Sequence, residues 1–107
     1  MIRDINTLTT MKTLTELYIS GNRIVDVAPL STLTNLTNLE LAENFIKDIR
    51  PLQILTNLKR LSLESNFITD INSLSALTNL TELYLDNNPY SDAGNYRGGE
   101  IDVLFGR

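Results

Sequence analysis

The chain has no cysteine and no histidine. Without cysteine there is no disulfide, no thiol nucleophile and no zinc–thiolate site. Without histidine the side chain best suited to proton transfer near neutral pH is missing. No run approaches the length of apolar sequence that spans a membrane as a helix, and no signal-peptide pattern is read ahead of the first patterned segment. Basic residues are few: nine Lys and Arg stand against thirteen Asp and Glu, for a formal charge of −4. A nucleic acid or an anionic membrane, each of which needs a basic face, is therefore not an expected partner. The lack of cysteine leans the location toward the cytoplasm and leaves a secreted or bacterial-surface location open. At 107 residues the chain is one domain.

What the sequence does have is a period. Asn22, Asn44, Asn66 and Asn88 stand 22 residues apart, and the apolar positions between them repeat with the same step. Leu14, Leu36, Leu58 and Leu80 form one column; Leu17, Leu39, Leu61 and Leu83 form another; Ile19, Leu41, Leu63 and Leu85 a third. Ile24, Ile46 and Ile68 follow, then Val27, Ile49 and Ile71, then Leu30, Leu52 and Leu74, then Leu33, Leu55 and Leu77. A fixed period of this length marks a solenoid, in which each unit buries its apolar face against its neighbours and none folds alone.

The frame Leu14-x-x-Leu17-x-Ile19-x-x-Asn22-x-Ile24 resembles the leucine-rich repeat. With Leu-Thr-Asn-Leu at 33–36, 55–58 and 77–80, and with Pro29 and Pro51 ahead of Leu30 and Leu52, it resembles the 22-residue class. That class occurs in bacterial internalins and in phosphatase-regulatory-subunit repeats. The resemblance covers residues 2 to about 92 and implies an α/β-type solenoid: a horseshoe segment with a short curved parallel sheet on its concave face. It also implies an adhesion or scaffold role, binding a protein or peptide through the concave side without a cofactor.

Alternation predicts strands over 16–20, 38–42, 60–64 and 82–86, with irregular or 3-10 turns on the convex side, because 22 residues leave little room for a helix. The repeat array is read as 1–88, with units starting at 14, 36, 58 and 80. Residues 1–13 are a half coil whose strand is missing, since Ile2, Asp4, Ile5, Leu8 and Met11 fall one period before Ile24, Asp26, Val27, Leu30 and Leu33. This end is either a frayed first coil or an apolar surface (Ile2, Ile5, Leu8, Met11) that pairs with another copy or another domain. Residues 89–107 are read as a capping segment. Ile101, Leu104 and Phe105 share one helical face, and Asn88-Pro89 followed by Tyr96-Arg97 resembles the short cap of many intracellular repeats. Gly98 and Gly99 depart from that pattern and weaken a helix there, and a disordered tail is the second reading.

Two polar columns are expected to serve the fold. The ladder asparagines offer two donors and an acceptor to backbone groups left unpaired in the tight bend. Asp4, Asp26, Asp48, Asp70 and Asp92 are expected to cap turns, because a row of carboxylates spaced by the strand separation does not converge on a metal. No nucleophile with its base, no phosphate loop and no metal set is visible, so no enzyme is expected.

Function then falls to positions that the fold leaves free. Three columns face outward from the strands: Glu16, Asn38, Arg60, Glu82; Tyr18, Glu40, Ser62, Tyr84; and Ser20, Ala42, Glu64, Asp86. After the ladder stand Arg23, Phe45, Phe67 and Pro89, which places two aromatics side by side at the rim. The expected partner-binding residues are Tyr18, Glu40, Arg60, Glu64 and Tyr84 with Phe45 and Phe67. The other reading is a structural or excised solenoid that forms a homodimer through its N-terminal end. Twelve outward side chains fall short of the roughly 20–30 residues of a standard interface, which points to weak binding, a short peptide or a longer array.

Overall fold

The computed structural model describes residues 1–89 and one further strand, Asp102–Leu104. Five short strands form a parallel sheet in chain order: β1 (Glu16–Tyr18), β2 (Asn38–Glu40), β3 (Arg60–Ser62), β4 (Glu82–Tyr84) and β5 (Asp102–Leu104). Register follows the period. Leu17 pairs with Leu39, Leu39 with Leu61 and Leu61 with Leu83, so each column of the sequence is a ladder in space.

The strands are three residues long, not the five expected. The chain bends three residues past their ends. Gly21, Glu43, Ser65 and Asn87 take positive φ, from 57° to 73°, which turns the chain sharply out of the sheet. Sheet-like hydrogen bonding still reaches this bend: Gly21 N–H donates to the Ala42 carbonyl at 2.9 Å, and Glu43 N–H to that of Glu64 at 2.9 Å.

The return path carries 3-10 turns at Asn6–Thr10, Ala28–Thr32, Arg50–Ile54 and Asn72–Ala76, and no α-helix is present among the described residues. Pro29 and Pro51 sit in the first turn of theirs, where no backbone donor is wanted. The aspartate column starts each turn: Oδ1 of Asp4, Asp26, Asp48 and Asp70 accepts from the backbone N–H two residues on, at 2.8–3.0 Å. Asp92 lies outside the described residues.

The core is a single stack of the apolar columns, with Leu36, Leu39, Leu41, Leu58, Leu61 and Leu63 among its fully buried members. Residues 1–10 continue the stack as a half coil. Ile5 is buried and Leu8 partly so, while Ile2 and Met11 are each 46% exposed. With no strand before β1, Leu14, Leu17 and Ile19 are only partly covered.

The segment at the other end corrects an expectation. Leu104 lies in β5, paired with Tyr84, and not on a helix; Ile101 and Phe105 lie outside the described residues. The step from Glu82 to its partner Asp102 is 20 residues, against 22 in the earlier pairs. A strand there answers the open backbone edge of β4, which a helix would leave unpaired.

Candidate functional site

The ladder asparagines hold the bends that carry the concave face. Asn66 Oδ1 accepts from the Ile46 N–H at 3.0 Å, and its Nδ2 reaches the carbonyls of Leu63, Glu64 and, in the preceding coil, Leu41. Asn44 repeats this with Ile24, Leu41, Ala42 and Ile19, and Asn88 with Ile68, Leu85, Asp86 and Leu63. Asn22 binds Ile2, Ile19 and Ser20 but has no carbonyl from a preceding strand. At the opposite bend Asn35, Asn57 and Asn79 donate to the carbonyls of Lys12, Thr34 and Thr56. These amides are occupied by backbone and are not a row of free binding groups.

The outward columns of the sheet form a connected polar surface. Arg60 stands at its centre. Its Nη1 lies 2.9 Å from Glu82 Oε1, and its Nε is 3.5 Å from Glu40 Oε2, an ion-pair distance without hydrogen-bond alignment. The guanidinium lies over the Tyr84 ring, 4.9 Å from the centroid, a cation–π arrangement. Burial pulls the Arg60 pKa down, but Tyr84, Glu82 and Glu40 outweigh it and hold it above its ordinary value.

The two tyrosines are tied to their own strands. Tyr18 Oη donates to Glu16 Oε1 at 2.7 Å and accepts from Asn38 Nδ2; Tyr84 Oη donates to Glu82 Oε1 at 2.7 Å. Each phenol is raised above its usual pKa, first by the hydrogen bond to that carboxylate. Ser62 is buried and donates to Glu64. The structure thus brings Glu40, Arg60 and Tyr84 into one cluster, and keeps Tyr18 and Glu64 on the same face with partners of their own.

Phe45 and Phe67 are stacked at the rim. Their ring centroids are 5.8 Å apart with planes 7° from parallel, and the residues are 48% and 52% exposed. They border a shallow recess of about 530 Å³ that Met1, Arg23, Glu43 and Ser65 also line. A convex recess of the same volume is lined by Lys47, Asp48, Arg50, Gln53, Asp70 and Asn72 among others, with Arg50 and Asp48 joined at 2.7 Å.

Sequence reasoning missed the positive-φ column and the pairing of Arg60. The first had a signal, since Gly21 and Asn87 occupy two of its four rungs and both residue types tolerate that conformation. Among the described residues no group of three metal-ligating side chains occurs, and no helix is long and apolar enough to cross a membrane.

A family model for leucine-rich repeats, in two copies, matches residues 12–54 and 56–98. No curated protein matches the sequence. Among solved structures, internalin C2 from Listeria monocytogenes superposes with a TM-score of 0.91 at 33% identity, over 96% of this chain and 46% of that one. The internalin InlF of the same organism gives 0.80 at 44% identity, over 81% and 26%. A leucine-rich repeat protein of Leptospira interrogans gives 0.75 at 33% identity, over 83% and 24%. The chain belongs to the leucine-rich repeat family and is of internalin-like type. It spans less than half the length of each of these structures. Proteins of this kind generally mediate protein–protein interaction and are typically not enzymes.

Proposed function

We propose that the chain is a non-enzymatic interaction module that binds a protein or peptide through Tyr18, Glu40, Arg60, Glu64 and Tyr84 of the concave face and the Phe45–Phe67 rim. The observation that carries this reading is the aromatic pair. Two stacked rings, each about half exposed, stand where the repeat asks only for solvent-facing residues. Exposed aromatic surface beside a recess is what a partner's anchoring residue requires. The tyrosines add broad contact area at low entropic cost, already held by their carboxylates. Carboxylates on an open face have no burial to tune them for acid–base chemistry, which favours binding over catalysis.

The test places a photo-crosslinking residue at Tyr18, Phe45 or Phe67, and on the convex side at Ile54, which is 55% exposed. Crosslinks to a partner from the concave and rim positions support the reading, and crosslinks from Ile54 alone overturn it. Phe45→Ser with Phe67→Ser should weaken that partner while costing well under about 3 kcal/mol of stability; a larger loss would mark the pair as core.

A second reading has its own observation. β1 is an edge strand, Leu14, Leu17 and Ile19 are partly uncovered, and Ile2 and Met11 are exposed beside them. Such an edge templates association, and a homodimer through this end would cover it. Ile5 is already buried within the chain and is not free to pair. Light scattering on Ile2→Asp with Met11→Asp tests this: a dimer that becomes a folded monomer supports it, and a wild-type monomer at high concentration overturns it.

A further inference from the structure

If the concave face is the binding surface, its chemistry narrows the occupant. Resting on that reading and deepening it, we infer that the sheet face takes a basic segment of protein, an extended stretch carrying lysine or arginine, with one of its apolar residues set against Phe45 and Phe67.

The outward columns carry Glu16, Glu40, Glu64, Glu82 and Asp86 against a single base, Arg60. That base is already engaged. It is shared between Glu40 and Glu82 and lies over the Tyr84 ring, so among the described residues of the three outward columns an incoming group meets net negative charge and no free cation. Of the other described bases only Arg23 stands on the rim; Arg3, Lys12, Lys47, Arg50 and Lys59 lie outside the three outward columns. Complementary potential steers association and rejects partners of the wrong sign. An anionic partner meets repulsion here, and a wholly apolar one would strip water from carboxylates without pairing them.

The dimensions fit a short segment. Parallel strands lie about 4.8 Å apart, so crossing β1 to β4 covers roughly 14 Å, or four to five extended residues. Two or three cationic side chains can face the sheet over that span. The aromatic pair then gives the segment an apolar anchor at the rim, where ring faces also accept a cation.

The position of Arg60 gives a test of sign: it belongs to the binding face as the resident counter-charge of Glu40 and Glu82, and an incoming cation competes with it for them. Removing Arg60 should therefore strengthen binding of a basic segment. If Arg60 were instead the contact to an acidic partner, its removal would weaken binding. The opposite signs separate the two.

The experiment is an NMR titration of the nitrogen-15-labelled chain with three capped heptapeptides. The first is Lys-Ser-Lys-Phe-Lys-Ser-Lys; the others carry Gln or Glu at every Lys. The lysine peptide should shift the amides of Tyr18, Glu40, Ser62, Tyr84, Phe45 and Phe67, less so as salt rises. Glu40→Gln with Glu64→Gln should weaken it by about tenfold, and Arg60→Met should strengthen it by about threefold. Asp26→Asn with Asp70→Asn removes equal charge from the convex side and should change affinity by less than about twofold. Each variant's own spectrum reports that it is folded. The inference falls if the lysine peptide binds no better than the glutamine peptide, or if Arg60→Met weakens it. If the glutamine or glutamate peptide shifts the concave amides and the lysine peptide does not, the concave site stands and its basic occupant is wrong. If the lysine peptide shifts only convex amides, the inference and the concave reading fall together.

Discussion

Leu17 and Leu61 hold the same rung of two coils, yet Leu61 is fully buried and Leu17 is only partly covered. Asn22 and Asn66 differ in the same way: Asn66 is 4% exposed and reaches a carbonyl of the preceding coil, while Asn22 has only its own strand and Ile2 to bind. Nothing local separates the members of these pairs. The coil that holds Leu17 has its strand, its bend and its 3-10 turn. Among the described residues, no strand stands on its N-terminal side. In a solenoid, burial belongs to a residue's neighbours more than to its own unit, so equivalent side chains should differ in energetic worth according to their place in the stack.

The largest effect should come from the leucines. Leu61→Ala removes a side chain enclosed by coils on both sides and should cost about 3–5 kcal/mol in denaturant unfolding. Leu17→Ala, at the open end, should cost about 1–2 kcal/mol, since less contact is lost and water already reaches the site. Equal losses would break the comparison. The ladder should show a smaller contrast. Asn66→Ala leaves a buried Ile46 N–H and the Leu41 and Leu63 carbonyls without this partner and should cost about 2–3 kcal/mol; Asn22→Ala, near solvent, about 1 kcal/mol. Hydrogen exchange at Ile46 and Ile2 would sharpen this by reporting which bend opens first.

The positive-φ column allows a test of opposite signs. A methyl group on Gly21 would meet no atom within 4 Å, so Gly21→Ala should cost about 1 kcal/mol through its φ of 73° alone. Ser65 holds φ 58° without being glycine, and Ser65→Gly should gain about 0.5 kcal/mol as relieved strain exceeds added chain entropy. A loss at Ser65 would show that its side chain contributes more than its backbone costs.

The smallest effect lies on the convex side. Hydrogen bonds from Arg50 hold the Asp48 carboxyl down to about 2, below its ordinary 3.8. A lowered folded-state value means that its contribution is present above pH 3.8 and lost as pH falls toward 2. Both side chains are more than half exposed, so screening by solvent keeps the contribution small. Thermal midpoints measured down that range should fall less steeply in Arg50→Gln than in the wild type.

Much of the fold was legible because the period dictates it. A step of 22 residues puts like residues above one another, so the parallel register, the apolar columns and the convex 3-10 turns could all be read from the chain. The aspartates were legible for a local reason, since each accepts from a backbone N–H two residues away. The sharp bend after each strand was not, because Glu43 and Ser65 are poor advertisements for the positive φ it imposes on them. Of the candidate surface, the sequence showed which residues lie on it, Tyr18, Glu40, Arg60, Glu64 and Tyr84 among them. It did not show that Arg60 is shared between carboxylates from the strands on either side.

The division follows from the range of the forces. Period, alternation and turn chemistry act within a coil, and the sequence by itself determined the repeat, its inward columns and its outward ones. Tertiary structure decided what depends on a second coil standing next to the first. It left Leu17 partly open and closed over Leu61. It set Glu40 and Glu82 on either side of one guanidinium and laid Phe45 against Phe67. It also placed Asp102–Leu104 on the edge of β4, 20 residues on and out of step with the period, because an unpaired strand edge is satisfied by whatever backbone reaches it.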